Sequence, residues 1–325
     1  MTECWTVLKV VRWTTDYLTS KGVSSPRLDA ELLVGQVLAK DRVGLYLCYD
    51  QPLQADELAQ IRQLVGRRAN REPVQYIIGH NEFWSLPFKV TPSVLIPRAD
   101  TEILVEEALR LLQETPAPQG PVLDVGTGSG AVAIAVAHDR VYARTTGTKP
   151  SAAVPERNSE TERLQVDAID ISAAALEIAQ HNAAANKVTQ QVHFYLQDMA
   201  ELKNFVANRC TDGYQLILSN PPYISSAQML ELMPEVGQHE PSLALEAGSD
   251  GLDYYRLLCN QALACLQPMG WLVVEVGANQ AAAVTNLMEQ AGLNNSFTRA
   301  DYAGITRVVG AQAPAGCLPK PDNEA

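Results

Sequence analysis

The segment Ser219–Tyr223, which reads Ser-Asn-Pro-Pro-Tyr, has the most specific chemistry in the sequence. It directly follows the mostly apolar run Tyr214–Leu218, so it lies at the carboxyl end of an expected strand, where open α/β sheets bind ligands. Two consecutive prolines fix φ and remove two N–H donors. The Asn220 side-chain oxygen and the Pro221 carbonyl can therefore both accept hydrogen bonds from one planar NH2 group, as found in an amide or an exocyclic amine.

Tyr223 would present a flat apolar face on which that NH2 group can stack. An amide nitrogen is a poor nucleophile because its lone pair is delocalised into the carbonyl. Two acceptors that hold its hydrogens would orient the nitrogen and favour the positive charge developing on it, so no strong general base is required. We therefore predict catalytic roles for Asn220, Pro221 and Tyr223. The alternative is a purely structural Asn-Pro turn.

A second ligand-binding pattern is the glycine loop 126–130 (Gly-Thr-Gly-Ser-Gly), which follows an expected strand over 122–125. Glycines let a ligand approach the backbone without meeting Cβ atoms. The spacing differs from the dinucleotide fingerprint GxGxxG, which binds a pyrophosphate. The Asp124 carboxylate before the loop would repel a pyrophosphate and attract an ammonium. S-adenosylmethionine, which has an ammonium, a sulfonium and no phosphate, suits this pattern, and an ordinary tight strand-to-helix turn is the alternative.

Acidic residues also end the next two expected strands. Asp170 ends the strand that begins at Val166, and it can accept hydrogen bonds from both hydroxyls of a ribose. Asp167 competes for this role but lies inside the strand, so we favour Asp170, with a helix-capping aspartate as the alternative. The following strand ends at Asp198 and Met199, where the carboxylate could accept from an adenine amino group and Met199 could pack on the ring.

Alternating elements must position these turns. Strand-like runs alternate with helical runs from residue 122 onward, which predicts a parallel, doubly wound α/β sheet with helices on both faces. The strands are expected at PVLDVG, VDAID, VHFYLQD, YQLILSN and GWLVVEVG.

The rest of the chain divides by composition and periodicity. Residues 1–82 have apolar residues at helical spacing and predict a helical bundle, which we interpret as a substrate-docking platform. Residues 83–97 are punctuated by prolines and predict a β-hairpin linker. The catalytic domain is expected over 98–310, with a mobile insertion over 139–165 and a disordered tail over 311–325.

Charge and composition exclude several classes of protein. The chain has 325 residues and a formal net charge of −12, and this excess of carboxylates would repel a phosphate backbone, which argues against a nucleic-acid-binding protein. No run of 18 apolar residues and no secretion signal is evident, so we expect a cytoplasmic protein without a membrane partner. The cysteines and histidines lack metal-ligand spacing, so we expect no metal.

Taken together, these residues resemble the class I S-adenosylmethionine-dependent methyltransferases, and more narrowly the protein-(glutamine-N5) methyltransferases of the HemK/PrmC type. That family methylates the glutamine of the Gly-Gly-Gln motif in peptide chain release factors. The block IPR-x-D-T-E followed by NPPY is highly specific, whereas GxGxG is not. The resemblance covers nearly the whole chain through the blocks EPVQYIIG, LIPRADTE, DVGTGSG, NPPYI, EPSLALEAGSDGLDYYR and GWLVVEVGANQ.

The resemblance implies a Rossmann-like class I methyltransferase domain preceded by a helical domain and a hairpin. It also implies S-adenosylmethionine as the cofactor, with Asp170 at the ribose and Met199 next to the adenine. The methionine part of the cofactor would contact Gly126, Thr127, Gly128, Ser129 and Gly130.

For the substrate, the resemblance implies that Asn220, Pro221, Pro222 and Tyr223 hold the glutamine, and that Asn220 also borders the cofactor. The implied partners are release factors, methylated by a monomer without direct nucleic-acid contact. Met199 stands where an aromatic residue is frequent in the family, and Ala99 stands where proline is usual.

Three other functional interpretations compete with this one. An adenine-N6 methyltransferase acting on DNA or RNA would give NPPY the same recognition task, because adenine also presents an exocyclic NH2 group. Such enzymes normally have a basic groove, and this chain has no Lys/Arg-rich block. A non-catalytic scaffold with the same shell would tolerate the loss of Asn220. A nicotinamide oxidoreductase is a weaker alternative, because its reaction would give the NPPY turn no role.

Overall fold

The computed structural model describes residues 5–114, 120–145, 164–210 and 212–316. They form two compact units. The first unit takes in the chain up to His80 together with Val90–Pro92 and Leu232–Glu240, and the second comprises the other described residues.

The first unit is helical. Pro26 occupies the first turn of its second helix, where the missing N–H of proline costs no hydrogen bond. Val11, Leu33 and Val65, from three different helices, share one buried apolar cluster, so burial of apolar stripes holds the helices together. The helices that precede the sheet are α1 (Val7–Ser20), α2 (Pro26–Leu38), α3 (Arg42–Leu47), α4 (Ala55–Ala69) and α5 (Val74–Ile78).

Buried ion pairs bring the segment Leu232–Glu240 into this helical unit. Arg68 is 4% exposed and donates to Asp29 at 2.7 Å and to Glu235 at 2.9 Å. Arg71 donates to Glu235 at 2.8 Å, so each buried charge has a partner. The sequence predicts a catalytic domain over 98–310 that includes this segment. It does not predict the contact with the helical unit, because a charge pair between residues 164 positions apart leaves no local pattern.

The β-hairpin lies earlier than the predicted linker over 83–97. Its strands are β1 (His80–Phe83) and β2 (Leu86–Lys89). They are joined by Trp84 and Ser85, which both have a φ of 55°, as a tight two-residue hairpin turn requires. Neither residue is a usual choice for positive φ, so the turn had no recognisable sequence signature.

The second unit is built on a seven-stranded sheet in the order β5-β4-β3-β6-β7-β9-β8. Neighbours from β5 to β7 pair in parallel, whereas β9 is antiparallel to β7 and β8 is antiparallel to β9. The predicted mostly parallel, doubly wound fold is confirmed. The strands are β3 (Val122–Val125), β4 (Val166–Asp170), β5 (Val192–Leu196), β6 (Tyr214–Ser219), β7 (Leu266–Glu275), β8 (Asn294–Ala300) and β9 (Thr306–Gln312).

Helices cover both faces of this sheet. Alternate strand residues such as Val122 and Leu123 belong to two separate buried clusters. One contains apolar residues of the helices that begin at Glu102 and Ala131, and the other contains those of the helices that begin at Asp253 and Ala281. The remaining helices are α6 (Glu102–Glu114), α7 (Ala131–Thr145), α8 (Ala173–Ala185), α9 (Leu202–Arg209), α10 (Ser226–Met229), α11 (Pro234–Gly237, in the first unit), α12 (Asp253–Cys265) and α13 (Ala281–Gln290).

Two segments that the sequence predicts to be irregular are partly in regular secondary structure. Helix α7 continues to Thr145, so residues 139–145 of the expected insertion are helical, and residues 146–163 lie outside the described residues. In the expected tail, Ala311 and Gln312 belong to β9 and pair with β7, and residues 317–325 lie outside the described residues. The pair β8–β9 was missed because β8 is an edge strand with a largely exposed, polar sequence.

Candidate active site

A cavity of about 330 Å³ lies at the carboxyl ends of the parallel strands, wholly within the second unit. Strand β3 lies between β4 and β6, and the chain runs outward from β3 through β4 to β5 before it crosses back to β6 on the other side of β3. Ligands of open α/β sheets bind at such a switch point. The cavity is lined by the loops that follow β3, β4, β5 and β6.

The glycine loop presents an open backbone to this cavity. Gly126 and Gly128 have φ values of +73° and +55°, a left-handed conformation that favours glycine. A Cβ atom on Gly128 would meet no atom within 4 Å, and one on Gly126 would lie 3.9 Å from the Met199 methyl carbon. Thr127 and Ser129 also line the cavity. The loop therefore leaves room for a ligand directly against its main chain.

Gly130, the last predicted loop residue, does not line the cavity. A Cβ atom there would lie 2.8 Å from the Ile134 side chain and 3.2 Å from that of Ala179. This glycine allows helices α7 and α8 to pack closely, so its role in this structure is packing.

Asp170 connects the tip of β4 to the glycine loop. One carboxylate oxygen accepts from the Gly128 N–H at 2.8 Å and the other accepts from the Ser172 N–H at 2.9 Å. Burial raises the pKa of this carboxyl, and these backbone hydrogen bonds oppose the rise. Asp170 lines the cavity and Asp167 does not, since Asp167 accepts from the Tyr214 hydroxyl at 2.7 Å.

Asp124 lies beneath the loop and is 2% exposed. Its carboxylate accepts from the Thr127 hydroxyl at 2.7 Å and from the Ala133 N–H at 3.2 Å. Burial raises its pKa to about 6, so the group is mostly ionised at neutral pH. A negative charge therefore borders the cavity where the loop begins.

The turn after β5 forms another wall. Asp198 accepts from the Ala200 N–H at 2.8 Å, and the Met199 carbonyl accepts from the Gln261 side chain at 2.8 Å. Both residues line the cavity, as does Tyr254 of α12. This wall combines a carboxylate, a thioether and an aromatic ring.

The Asn-Pro-Pro-Tyr turn contributes Asn220 and Pro222 to the cavity. The Asn220 side-chain NH2 group donates to the Thr101 hydroxyl at 3.1 Å, which leaves the side-chain oxygen as the end available to a ligand. Pro221 is buried and Tyr223 is half-buried, and neither lines the cavity. Their predicted contacts with a substrate stay predictions.

Segments distant in the sequence contact Tyr223 of this turn. The Gln280 side chain donates to the Tyr223 carbonyl at 2.9 Å. A Cβ atom on Gly251 would lie 2.5 Å from the same carbonyl oxygen, so only glycine lets the chain pass there. The Tyr223 hydroxyl donates to the Glu275 carboxylate at 3.4 Å.

Comparisons with known proteins agree with this geometry. Residues 9–79 match the family described as PrmC N-terminal domain, and residues 117–299 match the family described as methyltransferase domain. A release factor glutamine methyltransferase of Geobacter sulfurreducens is 43% identical over 310 residues, covering 95% of this chain and 97% of that protein. The chain belongs to the release factor glutamine methyltransferase family.

Other members and a solved structure are also similar. The release factor glutamine methyltransferase of Bradyrhizobium diazoefficiens is 38% identical and covers 91% of each chain. A protein-(glutamine-N5) methyltransferase structure from Alicyclobacillus acidocaldarius is 27% identical, with a TM-score of 0.38, covering 70% of this chain and 99% of that one. Membership of this methyltransferase family confirms the predicted family and enzyme class.

Several cavity residues lie in family blocks to which the sequence assigned no role. Thr101 belongs to the block LIPRADTE, and Pro241, Leu243 and Tyr254 belong to the block that begins at Glu240. Their presence in blocks typical of the release factor glutamine methyltransferases was the signal that could have identified them.

Two features are absent from the described ranges. No group of three or more His, Cys, Asp or Glu there could hold a metal ion. No helix in the same ranges has the length and apolar character to cross a membrane.

Proposed function

We propose that this chain transfers a methyl group from S-adenosylmethionine to the side-chain amide nitrogen, N5, of the glutamine in the Gly-Gly-Gln motif of peptide chain release factors. The family's relatives have names that describe this activity. The observation that carries the proposal is the Asn220 amide, which is fixed by Thr101 in the same cavity as the glycine loop.

The residues around the cavity suit this cofactor. When bound, S-adenosylmethionine supplies an electrophilic methyl group on a sulfonium. The open backbone at Gly126 and Gly128, with Thr127 and Ser129, would hold its methionine part, and the nearby Asp124 carboxylate favours an ammonium. Asp170 would accept from the ribose, because each of its oxygens has a further lone pair beside its backbone hydrogen bond.

The Asn-Pro-Pro-Tyr turn would orient the glutamine. The Asn220 side-chain oxygen and the Pro221 carbonyl would accept the two hydrogens of the glutamine NH2 group, while Pro222 and Tyr223 would confine its plane. Holding both hydrogens aims the nitrogen lone pair and stabilises the positive charge that develops on nitrogen. Asn220 and Pro221 would therefore act through orientation and electrostatics.

The helical unit would dock the intact release factor, and the chain would act as a cytoplasmic monomer. Leu47 on α3 is 85% exposed and offers an apolar contact. We expect Leu47→Asp to raise KM for an intact release factor several-fold and to leave KM for a short Gly-Gly-Gln peptide unchanged. Equal changes for both substrates would contradict the docking role.

Mass spectrometry of an incubated release factor tests the proposed activity. With S-adenosylmethionine present, we expect one added methyl group on the glutamine of the Gly-Gly-Gln motif. Incubation of double-stranded DNA with methyl-labelled cofactor should leave the nucleic acid unlabelled. Label in DNA and none in the release factor would overturn the proposal in favour of an adenine methyltransferase.

A further inference from the structure

Thr101 lies between the site asparagine and a buried carboxylate. It is 3% exposed, lines the cavity and accepts from the Asn220 NH2 group at 3.1 Å. The buried Glu275 carboxylate lies close enough to the Thr101 hydroxyl for that hydroxyl to lower its pKa. The two partners of Thr101 are close in the sheet, because Ser219 before Asn220 pairs with Val274 before Glu275.

The Thr101 hydroxyl has a single hydrogen and can donate it to only one neighbour. The neighbour that cannot donate, an ionised Glu275, therefore decides which way Thr101 donates. An ionised carboxylate can only accept. An ionised Glu275 therefore attracts the Thr101 hydrogen, and the Thr101 oxygen then accepts from its other neighbour, Asn220. The Asn220 amide meets this need by turning its NH2 group toward Thr101, which leaves its oxygen for the ligand.

The Glu275 carboxyl is 2% exposed, and its Oε2 has no hydrogen-bond partner among the described residues, so it is free to accept from a nearby hydroxyl. Burial raises its pKa to about 7, and the nearby Asp100 carboxylate adds to the rise. Arg307, Thr101 and the Tyr223 hydroxyl oppose it. This carboxyl therefore changes charge near neutral pH.

Two further titratable groups face this region. The Tyr255 hydroxyl donates to the backbone carbonyl of Glu275 at 2.9 Å and does not touch its carboxylate. The positive charge of Arg98 opposes the rise in the pKa of the Tyr223 hydroxyl. Arg307 is shared between Asp100 at 2.8 Å and Asp301 at 2.9 Å, so its charge is largely balanced by these two.

We propose that Thr101 and Glu275 are positioning residues for this reaction, which set the end of the Asn220 amide that faces the substrate. The inference rests on the proposed glutamine methylation. Its chemistry is specific, because a substrate NH2 group needs an acceptor and would be repelled by a second NH2 group. A protonated Glu275 donates to Thr101, which then donates to the Asn220 oxygen and turns the NH2 group into the cavity.

A pair of Thr101 variants tests the hydroxyl. Thr101→Val keeps the shape and removes the hydroxyl, whereas Thr101→Ser keeps the hydroxyl. We expect Thr101→Val to lower kcat with a Gly-Gly-Gln peptide about 10- to 100-fold, the scale of a misplaced active-site group. Thr101→Ser should recover most of that loss, and calorimetric affinity for S-adenosylhomocysteine should be the same in both. A wild-type kcat in Thr101→Val would overturn the inference.

A pH profile tests the carboxylate. In the wild type, kcat should rise as the pH increases through about 7, because the ionised form of Glu275 sets the productive amide. Glu275→Gln should lose this inflection and have a lower kcat at pH 8. The matched control is Asp167→Asn, a buried carboxylate that also accepts from a tyrosine but does not line the cavity. It should keep the inflection.

The outcomes separate this inference from the proposed function. An inflection that survives in Glu275→Gln would contradict the role of Glu275. If Glu275→Gln fails to fold, the Thr101 pair decides alone. A wild-type protein that methylates no release factor would refute the proposed function. A wild-type protein that methylates it normally, with both Thr101 variants equal to it, would refute this inference alone.

Discussion

The glycine loop and the Asn-Pro-Pro-Tyr turn lie in the same cavity but are held in different ways. The loop is stabilised by residues close to it in the sequence or on the adjacent strand, such as Asp124 and Asp170, whose carboxylates accept from loop groups. The turn is held by side chains from distant segments, including Thr101 and Gln280. A loop with an open backbone can thus be held by local contacts, whereas the turn that contains Asn220 depends on contacts with distant segments of the domain.

Removing the turn's polar end should have the largest effect. We expect Asn220→Ala to lower kcat about 10²- to 10³-fold, because one preorganised polar contact to the developing charge is lost. Cofactor affinity, measured by calorimetry, should change much less. Asn208→Ala is the control, since Asn208 is exposed on helix α9, away from the cavity, and donates to the Asn204 carbonyl of the same helix. Unchanged turnover in a folded Asn220→Ala protein would refute the assigned role.

The buried Asp124 carboxyl beneath the glycine loop should make the free energy of unfolding depend on pH. The pKa of Asp124 is about 6 when folded and 3.8 ordinarily, so between these values the folded state keeps a proton that the unfolded state releases. Stability should therefore fall as the pH rises from about 4 to 6, by about 3 kcal/mol. Asp124→Asn should lack this fall in urea titrations. If the free energy of unfolding changed with pH in the same way in the wild type and in Asp124→Asn, the raised pKa of Asp124 would be contradicted.

The distant support of the turn can be broken at Gly251. Its φ is +76°, and a Cβ atom there would lie 2.5 Å from the Tyr223 carbonyl oxygen. We expect Gly251→Ala to lower the free energy of unfolding by about 2 kcal/mol and to reduce kcat as the turn shifts. Gly66→Ala is the matched control, because nothing lies within 4 Å of its added Cβ in helix α4. It should stabilise the protein by about 0.5–1 kcal/mol, and equal losses in both variants would contradict the argument.

The smallest effect is expected from Asp170→Asn. An amide keeps only one acceptor oxygen, so either the Gly128 N–H or the Ser172 N–H loses its partner. We expect a roughly 10-fold weaker affinity for S-adenosylhomocysteine, which corresponds to about 1.4 kcal/mol. Asp167→Asn should bind it as the wild type does. Similar losses in the two variants would mean that Asp170 has no particular part in the cavity.

The same contrast explains what the sequence could predict. The parallel sheet, the glycine loop and the Asp170 position follow from local patterns of strands, glycines and strand-end acids. The hairpin over His80–Lys89 was displaced because Trp84 and Ser85 adopt positive φ without being typical turn residues. Edge strand β8 was missed because its exposed, polar sequence has no alternation.

For the site, too, the sequence predicted the residue in a local motif but not the distant residues that support it. Asn220 could be identified from its own motif, since two prolines and an amide have few other uses after a central strand. Thr101, Gln280 and Glu275 could not be given roles, because their contacts with the turn span 119, 57 and 52 positions in the chain. Only the folded sheet brings these groups together.

The most direct test of the account is a crystal structure with S-adenosylhomocysteine and a Gly-Gly-Gln peptide bound. We predict that the Asn220 side-chain oxygen lies within hydrogen-bond distance of the glutamine amide nitrogen, with the Asn220 NH2 group still on Thr101. A structure in which that oxygen turns away from the glutamine, or in which the peptide binds elsewhere, would contradict it.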